Sequence, residues 1–173
     1  MMRRSIRNLI VLVASAFMLV SCSISYKLNQ ASIDYNTTKS ITIETFANRA
    51  AYQWAPMAPM FNNALSDIFN KQTKLKQVKR DGDLHISGEI TSYDQTNKSI
   101  SADGYSSMVQ LRMTVKAKFT NNKDHKYDFD NKSFSSSREY DSSQQLSAVQ
   151  EELVQQMVDD IVDQIFNATV ANW

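Results

Sequence analysis

Residues 106–120 contain the pattern that most restricts how this chain can fold. Every second position is apolar, and these positions are Val109, Leu111, Met113, Val115, Ala117 and Phe119. The positions between them are polar, and they are Gln110, Arg112, Thr114, Lys116 and Lys118. Because successive side chains of a β-strand point to opposite faces, the pattern predicts a long strand with one apolar and one polar face. A sheet of such strands must bury its apolar face under a second layer.

Shorter patterns predict the other strands of this sheet. Residues 40–47 and 83–93 alternate in the same way, and residues 121–124 have the composition of a hairpin turn. Residues 126–138 then predict a returning strand with Tyr127 and Phe129 on its inner side. The alternation becomes irregular beyond Asn131, which indicates a bulge or a change of register. A further short strand is predicted at residues 24–28.

Two amphipathic segments predict helices that can cover the sheet. Residues 57–72 carry an apolar stripe made of Met57, Phe61, Ala64, Leu65, Ile68 and Phe69. Residues 145–170 carry a second stripe, made of Leu146, Val149, Leu153, Met157, Ile161, Ile165 and Phe166. The preceding Asp141-Ser142-Ser143-Gln144 predicts a capping box. The expected fold class is α+β: a two-layer sandwich in which a mostly antiparallel sheet of about four strands carries both helices on one face.

The composition fits a single domain without disulfides. The chain has 173 residues, with 3 glycines, 2 prolines and one cysteine, so its stability must come from burial. It carries 19 basic and 18 acidic residues, a balance that provides no general attraction for nucleic acid. We expect one domain over residues 37–173, preceded by a tether at residues 22–36.

The N-terminus has the features of a bacterial lipoprotein signal. Three arginines and no acidic residue lie within residues 1–21, and the apolar run at residues 9–20 is shorter than the roughly 20 residues that span a bilayer. Leu19-Val20-Ser21-Cys22 looks like a lipobox, so we expect cleavage after residue 21 and a diacylglycerol on the sulfur of Cys22. Ser23 favours the outer membrane as the destination. The alternative is an ordinary signal peptide that leaves Cys22 as a free thiol.

The sequence contains none of the common catalytic motifs. It has no Gly-rich phosphate loop, no G-x-S-x-G and no H-E-x-x-H. His85 and His125 have no further ligands at metal-binding spacing, so we expect both to be solvated. Asp159, Asp160 and Asp163 are expected on the solvated side of the second helix. We therefore predict a protein that is not an enzyme and that uses neither a cofactor nor a metal.

Two groups of basic residues are candidates for binding an anionic partner. The first is the cluster Lys74, Lys76, Lys79 and Arg80 after the first helix, and the second is Arg112, Lys116 and Lys118 on one strand face. Cations on a rigid strand can meet phosphates, with arginine giving bidentate contact and lysine a point charge. Anionic lipid headgroups or an acidic partner surface would fit them. The alternative is a solvated surface that discourages pairing of sheet edges.

The order and spacing of several short stretches resemble the LPS-assembly lipoprotein (LptE) family in its Bacteroidetes-type form. These stretches are Leu19–Cys22, Ser40–Ile43, Gly82–Leu84, Gly88–Ile90 with Tyr93, Phe119–Asn121, Tyr140–Gln144 and Val170–Trp173. The resemblance implies two helices packed against a four-stranded sheet. It also implies a plug in the lumen of the outer-membrane β-barrel LptD, which helps the barrel fold, binds lipopolysaccharide and assists its passage to the outer leaflet.

Two functions of different classes remain open at this point. The first is a non-enzymatic plug and assembly factor of the lipopolysaccharide translocon, lipid-anchored on the periplasmic side of the outer membrane or within the barrel lumen. The second is a free periplasmic lipid- or glycan-binding lipoprotein with no obligate barrel. The second function predicts a sizeable apolar pocket between sheet and helices, and a tightly filled core would count against it.

Overall fold

A computed structural model describes residues 33–98 and 108–171 of the chain. The predicted strand at residues 24–28 and the predicted lipidation site Cys22 lie outside the described residues. Among the helices that are described, none has the length and apolar character to cross a membrane.

The sheet has six strands and mixed direction. The strands are β1 (Ser40–Ile43), β2 (Ala47–Asn48), β3 (Lys76–Gln77), β4 (Leu84–Asn97), β5 (Met108–Asn121) and β6 (Phe129–Asp141). Their order is β3-β1-β4-β5-β6, with β2 paired beside β4. The long strands β4, β5 and β6 are antiparallel, whereas β1 pairs in parallel with both β3 and β4, and β2 pairs in parallel with β4.

The predicted mostly antiparallel sheet of about four strands is therefore wrong in its size and in part of its direction. The α+β class is correct. The error arises because two-residue strands are too short to show alternation in the sequence. In addition, the chain between β1 and β4 contains a helix, and such a crossover connection brings strands together in parallel.

Burial along β5 alternates as the sequence pattern predicts. Its apolar positions from Val109 to Phe119 are all buried, while Arg112, Lys116 and Lys118 are exposed on the other side. The alternation of β4 is interrupted by a register shift between Ile90 and Ser92. That shift accounts for the burial of Tyr93, which a regular alternation from Ile90 would have placed on the polar face.

The bulge or register change predicted beyond Asn131 occurs at Asn131 itself, and the register is continuous from Lys132 onward. Asn131 has a positive φ of 51°, and the register between β5 and β6 shifts between Ala117 and Phe119. Tyr127, predicted on the inner side of a strand, instead ends a short 3-10 helix at His125–Tyr127. The side chain of Asp124 accepts a hydrogen bond from the Lys126 N–H at 3.1 Å and thereby favours a turn over an extended start to the strand.

The two helices are α1 (Met57–Gln72) and α2 (Leu146–Phe166), the second followed by a π-helical turn at Asn167–Ala171. The bounds of α1 agree with the prediction. The capping box predicted before α2 is wrong: the N-cap residue is Gln145, and it makes no side-chain cap bond. Asp141 instead closes a turn, its carboxylate accepting from the Ser143 N–H at 2.8 Å and its carbonyl from the Gln144 N–H at 2.9 Å.

The buried face of α2 is broader than the predicted stripe. Met157, Ile161, Ile165 and Phe166 are buried as expected, but Leu146, Val149 and Leu153 are only half-buried. Val154, Val158 and Val162 are buried in their place. The reason is that α2 packs against α1 as well as against β5 and β6, so its buried surface is rotated toward the neighbouring helix.

Buried apolar side chains fill the space between the helices and the sheet. Phe46 packs on Phe61 with ring centroids 5.1 Å apart, and Phe69 meets Phe166 edge-on at 5.2 Å. Gly88 makes room for the first of these pairs, because a Cβ at this position would lie 2.4 Å from the Phe46 ring and 2.2 Å from the Lys116 carbonyl oxygen. Within residues 33–98 and 108–171 these buried side chains form one continuous core between the helices and the sheet.

Candidate functional site: the polar face of the sheet

The polar face of the sheet carries the three strand cations side by side. Arg112, Lys116 and Lys118 all project from β5, the strand that has a long partner on each side. Antiparallel pairing on both sides holds the backbone of β5 in place, so the spacing of these cations is fixed by the fold. The structure thus brings together the residues that the alternation had placed on one face.

The neighbours of these cations are acids and hydroxyl groups. In the strand register Arg112 lies opposite Asp94 of β4, and Lys116 lies opposite Glu89. On the other side, β6 contributes a row of serines that pair with this part of β5, namely Ser133, Ser135 and Ser137. The face therefore combines hydroxyl groups with charges of both signs, since Asp94, Glu89 and Asp130 accompany the three cations.

Two of the three cations are available for a ligand. The Lys118 ammonium lies 3.7 Å from the Asp130 carboxylate, an exposed pair of little energetic weight. Arg112 and Lys116 form no ion pair with any residue in the part of the chain that the structure describes. Their head groups can accept a phosphate or carboxylate without first breaking an internal salt bridge.

The cluster after α1 divides into two parts that lie in different places. Lys74 precedes β3 and Lys76 lies in it, at the edge of the sheet two strands away from β4. The Lys74 ammonium lies 5.9 Å from the centre of the Tyr35 ring. Lys79 and Arg80 instead line a cleft of about 480 Å³. The structure therefore does not bring Lys74 and Lys76 together with the cations of β5.

The cleft beside Lys79 and Arg80 belongs to the polar face and was missed by sequence reasoning. Its lining also includes Thr42, His85 and Thr120, which are neighbours in the strand register. The His85 imidazole lies 2.9 Å from the Glu44 carboxylate, so this histidine is partnered. The pairing of β4 with β1 on one side and with β5 on the other creates this cleft, and no local pattern in the sequence signals it.

Asp83 fastens the first parallel strand to the hairpin beside this cleft. Its Oδ2 accepts hydrogen bonds from the N–H groups of Lys39 and Ser40 at 2.9 and 3.1 Å and from the Ser40 hydroxyl at 2.9 Å. The Lys123 ammonium lies 3.1 Å from Oδ1. The Lys39 N–H, with the bonds from Lys123 and Ser40, lowers the pKa of Asp83 to about 2, against the opposing effect of burial. Sequence reasoning placed Asp83 at a strand start but missed this role.

The aspartates of α2 have different surroundings. Asp160 accepts a hydrogen bond from the Ser136 hydroxyl at 2.7 Å and pairs with the Arg138 guanidinium at 2.7 Å, so it links α2 to β6. These contacts, with the Ser136 bond first, lower the pKa of Asp160. Desolvation, followed by the charges of Asp159 and Asp160, raises the pKa of Asp163. The expected simple solvation therefore does not describe Asp160, whose role is structural.

The described residues contain no group of three or more side chains that could hold a metal ion. The second histidine, His125, lies with its Nδ1 2.7 Å from the Asp128 carboxylate, which itself accepts a hydrogen bond from the Asn121 N–H at 2.7 Å. This histidine is part of the turn between β5 and β6.

These features define a class of protein: a helix-backed sheet whose open face carries hydroxyl groups and charged side chains. The family model described as LptE, lipopolysaccharide-assembly, matches residues 38–169. That range covers the whole described domain from just before β1 to the end of α2. The chain belongs to the LptE family, which is a family of non-enzymatic lipoproteins involved in lipopolysaccharide assembly.

Several solved structures of low sequence identity are similar to this chain. An uncharacterised lipoprotein B from Nitrosomonas europaea is 18% identical, with a TM-score of 0.49 over 74% of this chain and 79% of that chain. A minor lipoprotein from Acinetobacter baumannii is 16% identical, with a TM-score of 0.47 over 74% of this chain and 89% of that one. The rare lipoprotein B of Shewanella oneidensis is 13% identical, with a TM-score of 0.45 over 73% and 92%. A search of curated proteins finds no significant match.

Proposed function

We propose that this protein is an outer-membrane lipoprotein that acts as plug and assembly factor of an LptD-like barrel and binds lipopolysaccharide on the polar face of its sheet. Membership of the LptE family over residues 38–169 is the observation that carries this proposal. The chemistry of the polar face supports the choice of surface.

Arg112 and Lys116 are the residues to which we assign contact with anionic headgroups. Both are exposed, both lie on a strand held from two sides, and neither is paired within the described residues. An arginine guanidinium can hold a phosphate through two parallel hydrogen bonds, and a lysine adds a point charge. The serines of β6 can donate further hydrogen bonds to phosphate or sugar oxygens. Lys118 joins this assignment in second place, because Asp130 competes for its charge.

The surface of the domain also suits the interior of a barrel. The lumen of an outer-membrane barrel is polar, so a plug must expose polar side chains on the surfaces that face it. Tyr52 is the large apolar side chain with substantial exposure among the described residues. The other large apolar side chains of the described residues are buried or half-buried, so the exterior of both layers is predominantly polar.

The lipid anchor on Cys22 completes the proposal. Each buried CH₂ group of an acyl chain contributes about 0.8 kcal/mol to membrane binding, and two or more chains hold a protein almost permanently. The anchor would keep the domain at the membrane in which the barrel is embedded. Assembly with the barrel would then take place at a high local concentration.

Purification in detergent followed by mass spectrometry tests the barrel partner. We expect a large outer-membrane β-barrel to co-purify with the protein, and we expect loss of surface lipopolysaccharide when the protein is depleted. Recovery of the protein alone, together with normal surface lipopolysaccharide after depletion, would refute the assembly role.

A pair of double variants tests the binding surface. Arg112→Ser with Lys116→Ser removes two unpaired cations and should weaken lipopolysaccharide binding by at least about a hundred-fold, since charged hydrogen bonds contribute about 1.5–3 kcal/mol each. Lys74→Ser with Lys76→Ser removes the same charge at the far sheet edge and serves as the matched control. Equal losses in both variants would show that overall charge, rather than the polar face, controls binding.

A further inference from the structure

A second cleft lies at the end of the sandwich where β4 ends and where β5 and α2 begin. It has a volume of about 450 Å³, within the range of pockets that hold small molecules. Its lining consists of Ala51, Tyr52, Tyr93, Asp94, Gln95, Leu111 and Leu146. Unlike the cleft beside Lys79 and Arg80, it has no basic residue in its wall, although Asp94 in its lining lies opposite Arg112 in the strand register.

Tyr52 provides an open aromatic surface in this cleft. Its side chain is 51% exposed, although it is a large ring that would normally be buried. The ring stacks nearly parallel on Tyr93, with centroids 5.6 Å apart and planes inclined by 18°. Tyr93 is itself buried, so it supports Tyr52 from beneath and fixes the direction in which the outer ring faces.

The polar groups around the rings are held in place by internal hydrogen bonds. The Gln150 amide donates to the Tyr93 hydroxyl at 3.0 Å, and the Gln95 amide donates to the Tyr140 hydroxyl at 3.2 Å. The carbonyl oxygen of Gln95 is therefore oriented but still able to accept a hydrogen bond. The Tyr52 hydroxyl forms no hydrogen bond with any described residue, so it can donate to a ligand or accept from it.

We infer that this aromatic cleft binds a neutral pyranose sugar, which lies against the Tyr52 ring and hydrogen-bonds with Gln95. A pyranose ring has an apolar face of C–H groups and a rim of hydroxyls, which matches a flat aromatic surface bordered by an amide. A neutral sugar fits better than an anionic one, because the charged residue in the lining is the acidic Asp94. The inference goes beyond the proposed function, since it requires neither a barrel partner nor the cations of β5.

Saturation-transfer NMR on the full-length protein tests this inference. The protein is kept in a detergent without a sugar head group. One neutral and one anionic saccharide are added in separate experiments. Chitobiose is a neutral disaccharide of two pyranose rings, and delipidated core oligosaccharide represents the anionic saccharide of lipopolysaccharide. We expect saturation of the pyranose ring protons of chitobiose and a weaker signal from the core oligosaccharide. Signal from the core oligosaccharide alone would refute the preference for neutral sugars.

Substitutions in the cleft test whether the Tyr52 ring binds the sugar. Tyr52→Ala should weaken chitobiose binding by about ten-fold, whereas Tyr52→Phe should retain most of it, because stacking depends on the ring. Gln95 is exposed, so Gln95→Ala should leave the circular dichroism spectrum unchanged. The variant should also weaken chitobiose binding. Tyr127→Ala, in the turn before β6, is the matched aromatic control. Absence of transfer to chitobiose, or equal transfer in wild type and Tyr52→Ala, would overturn the inference.

Discussion

Replacing Asp83 with asparagine should destabilise the fold in a way that depends on pH. The side chain is 20% exposed and joins the start of β1 to the hairpin through four contacts. Its pKa is lowered from 3.8 to about 2 in the folded protein. A shift of this size corresponds to about 2.5 kcal/mol of folding free energy, at about 1.4 kcal/mol per pKa unit, and solvent screening at this partly exposed site reduces it to about 2 kcal/mol.

The sign of the pH dependence follows from the direction of this shift. The pKa of Asp83 is lower in the folded than in the unfolded protein, so the charged carboxylate favours folding. Its contribution is fully present above about pH 4 and is lost as the pH falls through about 2. Asp83→Asn should therefore cost about 2 kcal/mol at pH 7, and the difference from the wild type should shrink toward pH 2.

Urea denaturation followed by circular dichroism at a series of pH values measures this difference. Asp67→Asn is the matched control, because it removes a carboxylate from an exposed ion pair with Lys71 on α1. Such a pair contributes less than about 1 kcal/mol, so the control should change stability little. The reasoning would fail if Asp83→Asn lost the same free energy at pH 2 as at pH 7, since the charge would then play no part.

Two further predictions concern the core and the anchor. Gly88→Ala should lower the melting temperature strongly, because the new Cβ would lie 2.2 Å from the Lys116 carbonyl oxygen and 2.4 Å from the Phe46 ring; an unchanged thermal transition would contradict this packing. Cys22→Ala should prevent acylation and move the protein from the membrane fraction to the soluble fraction. Intact mass and fractionation measure this, and a variant that stays wholly with the outer membrane would show that lipid is not what retains it.

The polar face of the sheet carries acidic as well as basic side chains. Asp94 and Glu89 lie opposite Arg112 and Lys116 in the strand register, so the face is not a uniform cationic patch. A mixed surface of this kind binds through directed contacts more than through long-range attraction. If lipopolysaccharide binds there, affinity should depend on the identity of Arg112, whose bidentate geometry lysine does not reproduce.

The elements that local periodicity determines could be predicted from the sequence. The two faces of β5 and the bounds of α1 follow from repeats of two and of about four residues, which are properties of neighbouring residues alone. An irregularity in β6 was also predictable to within a residue or two, because the alternation breaks near Asn131. For the candidate site, the common face of Arg112, Lys116 and Lys118 followed from the same repeat.

Features that depend on contacts between residues distant in sequence could not be predicted from local periodicity. The parallel strands β2 and β3 have two residues each and no pattern of their own, so their pairing depends on where α1 returns the chain. The rotated face of α2 depends on its contact with α1. Asp83 gains its role only because β1 lies beside it, some forty residues away in the chain.

The sequence by itself determined the α+β class, the long strands and the single polar face, because a two- or four-residue repeat records which side of each element is buried. The tertiary structure decided the mixed direction of the sheet, the separation of Lys74 and Lys76 from the cations of β5, and the cleft beside Tyr52. These features arise where elements from different parts of the chain meet, and each element's own repeat contains no information about its neighbours in space.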